Sequence, residues 1–255
     1  MSEIVRCERR NAVDTITINR PDSMNAFTEG LRAELRDALE QAGADRRVRV
    51  VILTGAGRCF SAGADLKNRG DRPITEVLME EYRPVFNAIE SMPKPVIAAV
   101  PGSAAGIGLS VALHCDLLIM ADNAFLLSPF TNISLVPDGS LTWLLVHQLG
   151  YRRAFQLSVE SDRIPAARCV ELGLANKAVP AGDLQSAALA WAQALSKRAP
   201  LSLAATKKAM RFAAQHDQGS TFELESALQG ELFGSADHQE GVQAFLEKRE
   251  PEFKG

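Results

Sequence analysis

Two segments of the chain place an apolar strand directly before a turn of small residues that leads into a helix. The first reads ILTGAGRCFSAGADLK (52–67), and the second reads VIAAVPGSAAGIGLSVA (96–112). Buried strands that alternate with helical patterns are typical of an α/β fold. Small residues at a helix start also leave backbone N–H groups open to a ligand. The two segments therefore predict an α/β fold and two turns at which backbone N–H groups could bind a ligand.

The remaining pattern predicts an α/β core followed by a helical tail. Two strands that meet near Arg10 and Asn11 open the chain, and further strands are predicted at KPVIAAV and DLLIMA. Residues 74–91 read as a helix in which Pro84 predicts a kink or two shorter helices. From about residue 151 the pattern is helical almost throughout. We therefore predict a core over 1–195 and a C-terminal helical segment over 196–255.

Composition excludes several classes of function. The 255 residues carry a formal net charge of −3, so no basic surface indicates nucleic-acid binding. No apolar run reaches the roughly 18 residues of a membrane span, and we expect a cytoplasmic protein without a membrane partner. The four histidines lack HExxH spacing and the four cysteines form no CxxC pair, so no metal site is expected.

Neither glycine turn is a nucleotide-binding loop. Phe60 and Val111 occupy the positions where a GxGxxG pattern would need its third glycine, and no GK[ST] motif occurs. One such turn commonly reflects tight packing of a strand on a helix. Two of them could instead supply a convergent pair of N–H groups, an oxyanion hole for a carbonyl that gains negative charge. The residues alone leave both interpretations open.

Several motifs in order along the chain resemble the enoyl-CoA hydratase/isomerase (crotonase) superfamily. They are FSAGADLK, PVIAAVPGSAAGIGLSVALHCDLLIMAD and LVPDGSLTWLLVHQLG, together with INRPDSMNAF and FLEKREPEFKG near the two ends. The resemblance implies a spiral of ββα turns, with the C-terminal helices serving oligomerisation or as a lid. It also implies a homotrimer or a dimer of trimers that acts on acyl-CoA thioesters. Coenzyme A is then part of the substrate, and no separate cofactor is expected.

The resemblance places the oxyanion hole on the N–H groups of Ala64 and Ile107, with Gly63 and Gly106 beside them in the pocket. Family hydratases use two glutamates, whose positions here are occupied by Ser110 and Phe130. An unassisted serine cannot act as a general base and phenylalanine has no proton to exchange, so ordinary hydration is not expected. Ile107 replaces a usual glycine and is expected to narrow the acyl pocket.

Ser110 also lies in GLSVA, one helical turn before His114, which is similar to the nucleophile elbow of serine hydrolases. In an elbow the serine follows its strand directly, whereas nine residues separate Val100 from Ser110. We interpret Ser110 as a small polar residue at the edge of the pocket.

Asp138 in LVPDGS is the carboxylate that the resemblance singles out. It matches the single acid of enoyl-CoA isomerases, including ring-oxepin and Δ3,Δ2-enoyl-CoA members, which moves a proton between C2 and C4. A dry pocket would raise the pKa of this aspartate. Two alternatives stay open: a helix N-cap before GSLTWLL, and a nucleophile like that of members acting on aryl-CoA halides.

Contacts to coenzyme A are implied at seven positions. Two lie in the RPDSMNAF loop, three border the first glycine turn, and two lie in the last helix: Asn25, Ala26, Ala62, Asp65, Leu66, Phe245 and Lys248. A structural role is the alternative for Asp65, as a cap or turn former, and amphipathic packing is the alternative for the last two.

The leading hypothesis is an acyl-CoA isomerase that uses Asp138. The alternatives are an enoyl-CoA hydratase with atypical catalytic groups, a carboxylate-nucleophile hydrolase or dehalogenase, and a non-catalytic acyl-CoA-binding protein.

Overall fold

A computed structural model describes residues 3–68 and 70–255. Its strands form a six-stranded sheet and a four-stranded sheet. The strands are β1 (Val5–Arg10), β2 (Val13–Ile18), β3 (Val50–Gly55), β4 (Cys59–Ser61), β5 (Val96–Val100), β6 (Ser103–Ala105), β7 (Leu117–Ala121), β8 (Phe125–Leu127), β9 (Ile164–Pro165) and β10 (Lys177–Val179). The helices are α1 (Glu29–Ala44), α2 (Ile74–Val77), α3 (Arg83–Ser91), α4 (Ile107–His114), α5 (Leu141–Leu149), α6 (Tyr151–Glu160), α7 (Ala166–Glu171), α8 (Leu184–Ser196), α9 (Pro200–Ala213), α10 (Gln218–Leu232) and α11 (Ala236–Glu247).

The large sheet has the order β1-β2-β3-β5-β7-β10 and the small sheet the order β4-β6-β8-β9. Three successive strand pairs, β3/β4, β5/β6 and β7/β8, each give a longer strand to the large sheet and a short strand to the small one. Helical structure follows each pair, so the chain winds as ββα units. Only β1/β2 and β8/β9 pair antiparallel among the described strands. This architecture confirms the α/β class.

Burial explains the central elements. Every residue of β3 and β5 is buried, as expected for strands covered on both faces. α1 buries an i, i+4 stripe formed by Leu31, Leu35 and Leu39, and the Thr28 side chain caps its N-terminus by accepting from the Leu31 N–H. α8 packs across the large sheet and buries Ala188 and Ala192 completely. These elements form one hydrophobic core.

Two expectations about helices meet different outcomes. The predicted break near Pro84 is confirmed, because a π-helical turn over Leu78–Tyr82 ends where α3 begins and Pro84 lies in the first turn of α3. The expectation that the chain is helical almost throughout after residue 151 is confirmed for α6 to α11, but it did not include the short strands β9 and β10 that lie in that region. Both are two- or three-residue edge strands, too short to show a periodic pattern.

The predicted division at 195/196 falls on the last residues of α8, four residues before α9 begins. Whether the two parts are separate domains stays a prediction. Across the described ranges, no helix combines the length and the apolar character that a membrane span requires.

Candidate active site

The first glycine turn follows β4 and is held by the loop over residues 20–27. Gly63 has a φ of +102° and its N–H donates to the Ser61 hydroxyl at 3.1 Å. The Phe27 N–H donates to the Gly63 carbonyl at 2.8 Å, and the Asp65 N–H donates to the Phe27 carbonyl at 3.0 Å. Between these bonds, the Ala64 N–H has no acceptor among the described residues.

The second glycine turn joins β6 to α4. Gly106 precedes the helix with φ +55° and ψ −132°, a conformation that strongly favours glycine, and its N–H donates to the Leu127 carbonyl at 3.1 Å. Its carbonyl accepts from the N–H groups of Leu109 and Ser110. The Ile107 N–H, at the first position of α4, finds no acceptor within residues 3–68 and 70–255.

The two turns contact each other. A Cβ atom placed on Gly63 would lie 3.0 Å from the Ala105 carbonyl oxygen and 3.6 Å from the Ile107 nitrogen. A Cβ atom on Gly106 would lie 3.7 Å from the Gly63 Cα. The close approach therefore brings two unpaired N–H groups, those of Ala64 and Ile107, to the same place.

Asp138 lies on the loop before α5, and its carboxylate makes little use of hydrogen bonding. Its Oδ1 atom is buried and accepts no hydrogen bond from the described residues. Burial raises the pKa of Asp138 to about 6, against a smaller lowering by its own backbone N–H. The N-cap of α5 is Ser140, without a side-chain capping bond, so Asp138 does not cap that helix. The structure thus does not support the capping alternative for the Asp138 side chain.

Ser110 and Ile107 lie directly behind the Asp138 loop. Ser110 is fully buried, and its hydroxyl donates to the Asp138 backbone carbonyl at 2.9 Å. A Cβ atom on Gly139 would lie 2.6 Å from Ile107 Cδ1, 2.8 Å from Phe86 Cζ and 3.0 Å from Ser110 Cβ. The Ile107 side chain therefore supports this loop, and Ser110 lies in the interior with its hydroxyl directed at the loop.

Phe130 is brought beside the second turn. Its ring is buried, and its Cζ atom lies 4.0 Å from a Cβ atom placed on Gly106. Ser110 and Phe130 therefore flank the neighbourhood of the two turns without offering a carboxylate. Asp138 is close to the second turn through the contacts of its loop with Ile107 and Ser110, whereas the carboxylate of Asp65 at the first turn is engaged by Arg20 and Asn68.

The predicted coenzyme A contacts divide into three groups. The side chain of Asn25 is completely buried and bonds the backbone of Arg20, Ala56 and Cys59, so this side chain holds a loop instead of facing a ligand. Ala26 is half-buried beside it, and Ala62 and Leu66 are exposed along the first turn. Contact of these backbones with coenzyme A stays a prediction.

The contacts of Asp65 support a structural role for this residue as a cap or turn former. Its carboxylate accepts from the backbone N–H groups of Lys67 and Asn68 and from the Arg20 guanidinium at 3.3 Å. Burial alone would raise the pKa of Asp65, but the hydrogen bonds from Asn68 and Arg20 outweigh it and lower the pKa.

Phe245 and Lys248 are not brought to the two turns within one chain. Phe245 is 83% exposed and lines a cavity of about 410 Å³ between α9, α10 and α11, and Lys248 ends α11 at the surface. No residue of either glycine turn lines that cavity. Contact of these two residues with coenzyme A, from the same or a neighbouring subunit, stays a prediction.

Sequence reasoning missed the supporting residues of the site. Ser61 braces the first turn by donating to the Asn25 carbonyl at 2.8 Å while accepting from Gly63. Phe86 packs under Gly139 and stacks on His114 at 4.3 Å between ring centroids. The serine two residues before a glycine was a local signal for Ser61, whereas Phe86 showed only as one apolar residue of a helix face.

The chain belongs to the enoyl-CoA hydratase/isomerase family, whose model matches residues 8–255. A protein of Rhodobacter capsulatus called probable enoyl-CoA hydratase is 41% identical over 98% of both chains. The 1,2-epoxyphenylacetyl-CoA isomerase of Escherichia coli is 35% identical over the whole of both chains. The crystal structure of an enoyl-CoA hydratase from Bacillus anthracis superposes with a TM-score of 0.95 at 33% identity, over 99% of this chain and 100% of that one.

These comparisons confirm the crotonase fold and an acyl-CoA enzyme of this family. The similar proteins carry names of both reaction types, so the reaction has to be argued from the site.

Proposed function

We propose that this enzyme shifts a carbon–carbon double bond in an enoyl-CoA thioester, with Asp138 as the proton carrier. The observation that carries the proposal is the carboxylate of Asp138, which lies beside the second turn. It has a buried, unpartnered oxygen and a raised pKa, and its loop packs against the residue that supplies one of two free N–H groups. A base with a pKa near the working pH is well suited to proton transfer.

The proposed reaction needs no group beyond these. The Asp138 carboxylate removes a proton from C2 of a 3-enoyl thioester, and the electrons of that C–H bond form an enolate. The N–H groups of Ala64 and Ile107 stabilise the negative charge on the thioester oxygen. When the enolate collapses, the C3–C4 π electrons take the proton from the Asp138 carboxylic acid at C4. The double bond then lies between C2 and C3, and the carboxylate is restored.

The environment of the site supports isomerisation over hydration. Addition of water needs a base for the water and an acid for C2, and the positions of the two family glutamates hold Ser110 and Phe130. The hydroxyl of Ser110 is engaged with the Asp138 carbonyl, and the buried Phe130 ring contributes an apolar surface. One carboxylate is sufficient for a proton shift but not for this two-group hydration.

A panel of thioesters tests the proposal: cis-3-enoyl-, trans-3-enoyl- and trans-2-enoyl-CoA, with arylacetyl-CoA as a fourth member. We expect turnover of a 3-enoyl-CoA. We also expect a calorimetric titration with acetoacetyl-CoA, which mimics the enolate, to show saturable binding. Rapid loss of enoyl absorbance with crotonyl-CoA would favour a hydratase instead. An acyl-aspartyl intermediate on Asp138 would favour the nucleophile mechanism, and binding without turnover of any thioester would favour a binding protein.

We also propose that the chain assembles as a homotrimer or a dimer of trimers. The C-terminal helices leave large aromatic side chains exposed, among them Phe222, Phe233 and Phe245, and such a surface favours burial against another chain. Sedimentation equilibrium should give three or six times the mass of one 27.6 kDa chain. A monomer at micromolar concentration would contradict this assembly.

A further inference from the structure

We propose that Ser110 is a positioning residue, which fixes Asp138 at a set distance from the N–H group of Ile107. This inference rests on the proposed function, because it concerns how the proton carrier is held. Its central observation is the hydrogen bond from the fully buried Ser110 hydroxyl to the Asp138 carbonyl at 2.9 Å. Ser110, at the position of a family glutamate, would then hold the carboxylate of Asp138 in place rather than act on the substrate itself.

One rigid helix carries both the donor and the anchor. Ile107 is the first residue of α4 and Ser110 lies three residues later, which corresponds to a rise of about 4.5 Å along the axis. The hydrogen bond therefore ties the Asp138 loop to the same helical turn that presents the Ile107 N–H. Any movement of the helix would carry the donor and the proton carrier together.

The Asp138 loop needs such an anchor because its local conformation is unfavourable. Gly139 has a φ of +60°, which glycine adopts readily, but the next residue, Ser140, is a non-glycine residue with a φ of +61°. Among the described residues, no side chain caps the helix that follows. Within the loop itself, the Asp138 carbonyl accepts only the Leu141 N–H, at 3.2 Å. The Ser110 hydroxyl adds a bond from the protein interior to this carbonyl.

Ser110 is itself directed toward the loop. The hydroxyl of a helical serine often bonds the carbonyl four residues earlier, but here it bonds Asp138. The Ser110 carbonyl accepts from His114 Nδ1 at 2.6 Å, and burial lowers the pKa of this histidine, which favours its neutral form. The His114 ring stacks on Phe86, whose Cζ atom lies under Gly139. Helix and loop are thus joined by a hydrogen bond and by an aromatic stack.

The test compares Ser110→Ala with Ser110→Thr, which retains a hydroxyl, and with Thr54→Val as a matched control. Thr54 is also a buried hydroxyl that donates to a backbone carbonyl, that of Ala99 at 2.8 Å, but it lies in β3 and takes no part in the site. We expect Ser110→Ala to lower kcat about tenfold or more, because misplacing a reacting group is costly, with KM within about twofold. Ser110→Thr should recover most of the rate. Thr54→Val should lower only the melting temperature.

A second readout does not depend on turnover. The carboxyl titration of Asp138 is followed by ¹³C NMR in the whole protein and assigned with Asp138→Asn. Tyr82, the titratable neighbour whose pKa responds to the Asp138 charge, stays neutral because burial raises its pKa to about 12. We expect Ser110→Ala to move the Asp138 titration, since the loop changes its burial, and Thr54→Val to leave it in place.

The inference is overturned if Ser110→Ala leaves both kcat and the Asp138 titration unchanged. Should Ser110→Ala fail to fold, Ser110→Cys keeps the volume with a weak donor and takes its place in both measurements. If the wild-type protein isomerises no 3-enoyl-CoA, the proposed function fails. The titration then decides the role of Ser110 alone: a shift supports positioning and an unchanged titration contradicts it.

Discussion

The two glycine turns present similar N–H groups but are held in different ways. The turn around Ala64 is braced by hydrogen bonds from a separate loop, including those through Asn25 and Ser61. The turn around Ile107 is held by its own helix and by packing against the loop of Asp138. The first turn therefore holds a proposed backbone donor in a fixed place, whereas the second turn also contacts the loop of the proposed proton carrier, Asp138.

This difference separates the expected consequences of mutations. Substitutions that remove the hydrogen bonds around the first turn should reduce stability and also displace the Ala64 N–H, because the same bonds stabilise the fold and position this group. Damage behind the second turn should disturb proton transfer while the fold is retained. The predictions below test this separation.

The largest effect is expected for Asp138→Asn. Removal of the proton carrier should lower isomerisation by about 10²- to 10⁴-fold, as for other general acid–base groups. Binding of acetoacetyl-CoA should change little, because both N–H donors remain. Steady-state kinetics and calorimetry on the same preparation measure the two quantities. Wild-type turnover by this variant would show that another group carries the proton.

The second-largest effect is expected for Gly63→Ala, which should push the two turns apart. The new Cβ atom would lie 3.0 Å from the Ala105 carbonyl oxygen, in a residue with a φ of +102°. We expect kcat to fall about 10- to 100-fold because one oxyanion donor is displaced. Gly173→Ala is the control, since Gly173 also has a positive φ, +75°, but has no neighbouring atom within 4 Å of a Cβ atom. Equal loss of activity in both variants would argue against a special role for the contact between the turns.

A smaller effect on rate is expected for Asn25→Ala. The substitution removes the amide that bonds the Ala56 and Cys59 carbonyls at 2.9 and 2.8 Å, and it leaves buried acceptors unpaired. We expect a loss of about 2–3 kcal/mol in the free energy of unfolding, with only a few-fold decrease in kcat. Asn19→Ala, which removes a buried amide bond to the Glu3 carbonyl, is the control and should leave kcat unchanged. Urea denaturation and kinetics distinguish the two variants.

The smallest effect concerns pH and the stability of the fold. The pKa of Asp138 is about 6 in the folded chain and lies above its ordinary value of 3.8, so protonation favours the folded state. This contribution is complete below about pH 4 and is lost as the pH rises through about 6. Asp138→Asn should therefore raise the melting temperature by about 2 °C at pH 8, with no gain at pH 4. An equal change at both pH values would contradict the buried carboxylate.

Much of the fold could be predicted from the sequence because long, regular elements carry a periodic signal. The stripe of leucines in α1 and the apolar run of β5 are examples. The small sheet could not be predicted, since β6 is only Ser103–Ala105 and three small residues show neither alternation nor bulk. Its strands are defined by pairing with distant segments, such as that of β6 with β8.

The site was predictable in its backbone and less so in its side chains. Glycines at 63 and 106 indicated two open turns, and the structure brings these turns together. The sequence could not decide whether Asp138 caps a helix, because that depends on where α5 begins and which way the carboxylate points. The bond between Ser110 and Asp138 joins residues 28 positions apart and has no local signature.

The path of the proton tests the central claim most directly. The wild-type enzyme is given a 3-enoyl-CoA that carries deuterium at C2, in ordinary water, and the 2-enoyl product is analysed by mass spectrometry and NMR at low conversion. A single carboxylate in a half-buried site should deliver part of the deuterium to C4, and Asp138→Asn should form almost no product. Product without deuterium at C4, formed equally fast by Asp138→Asn, would contradict proton transfer by Asp138.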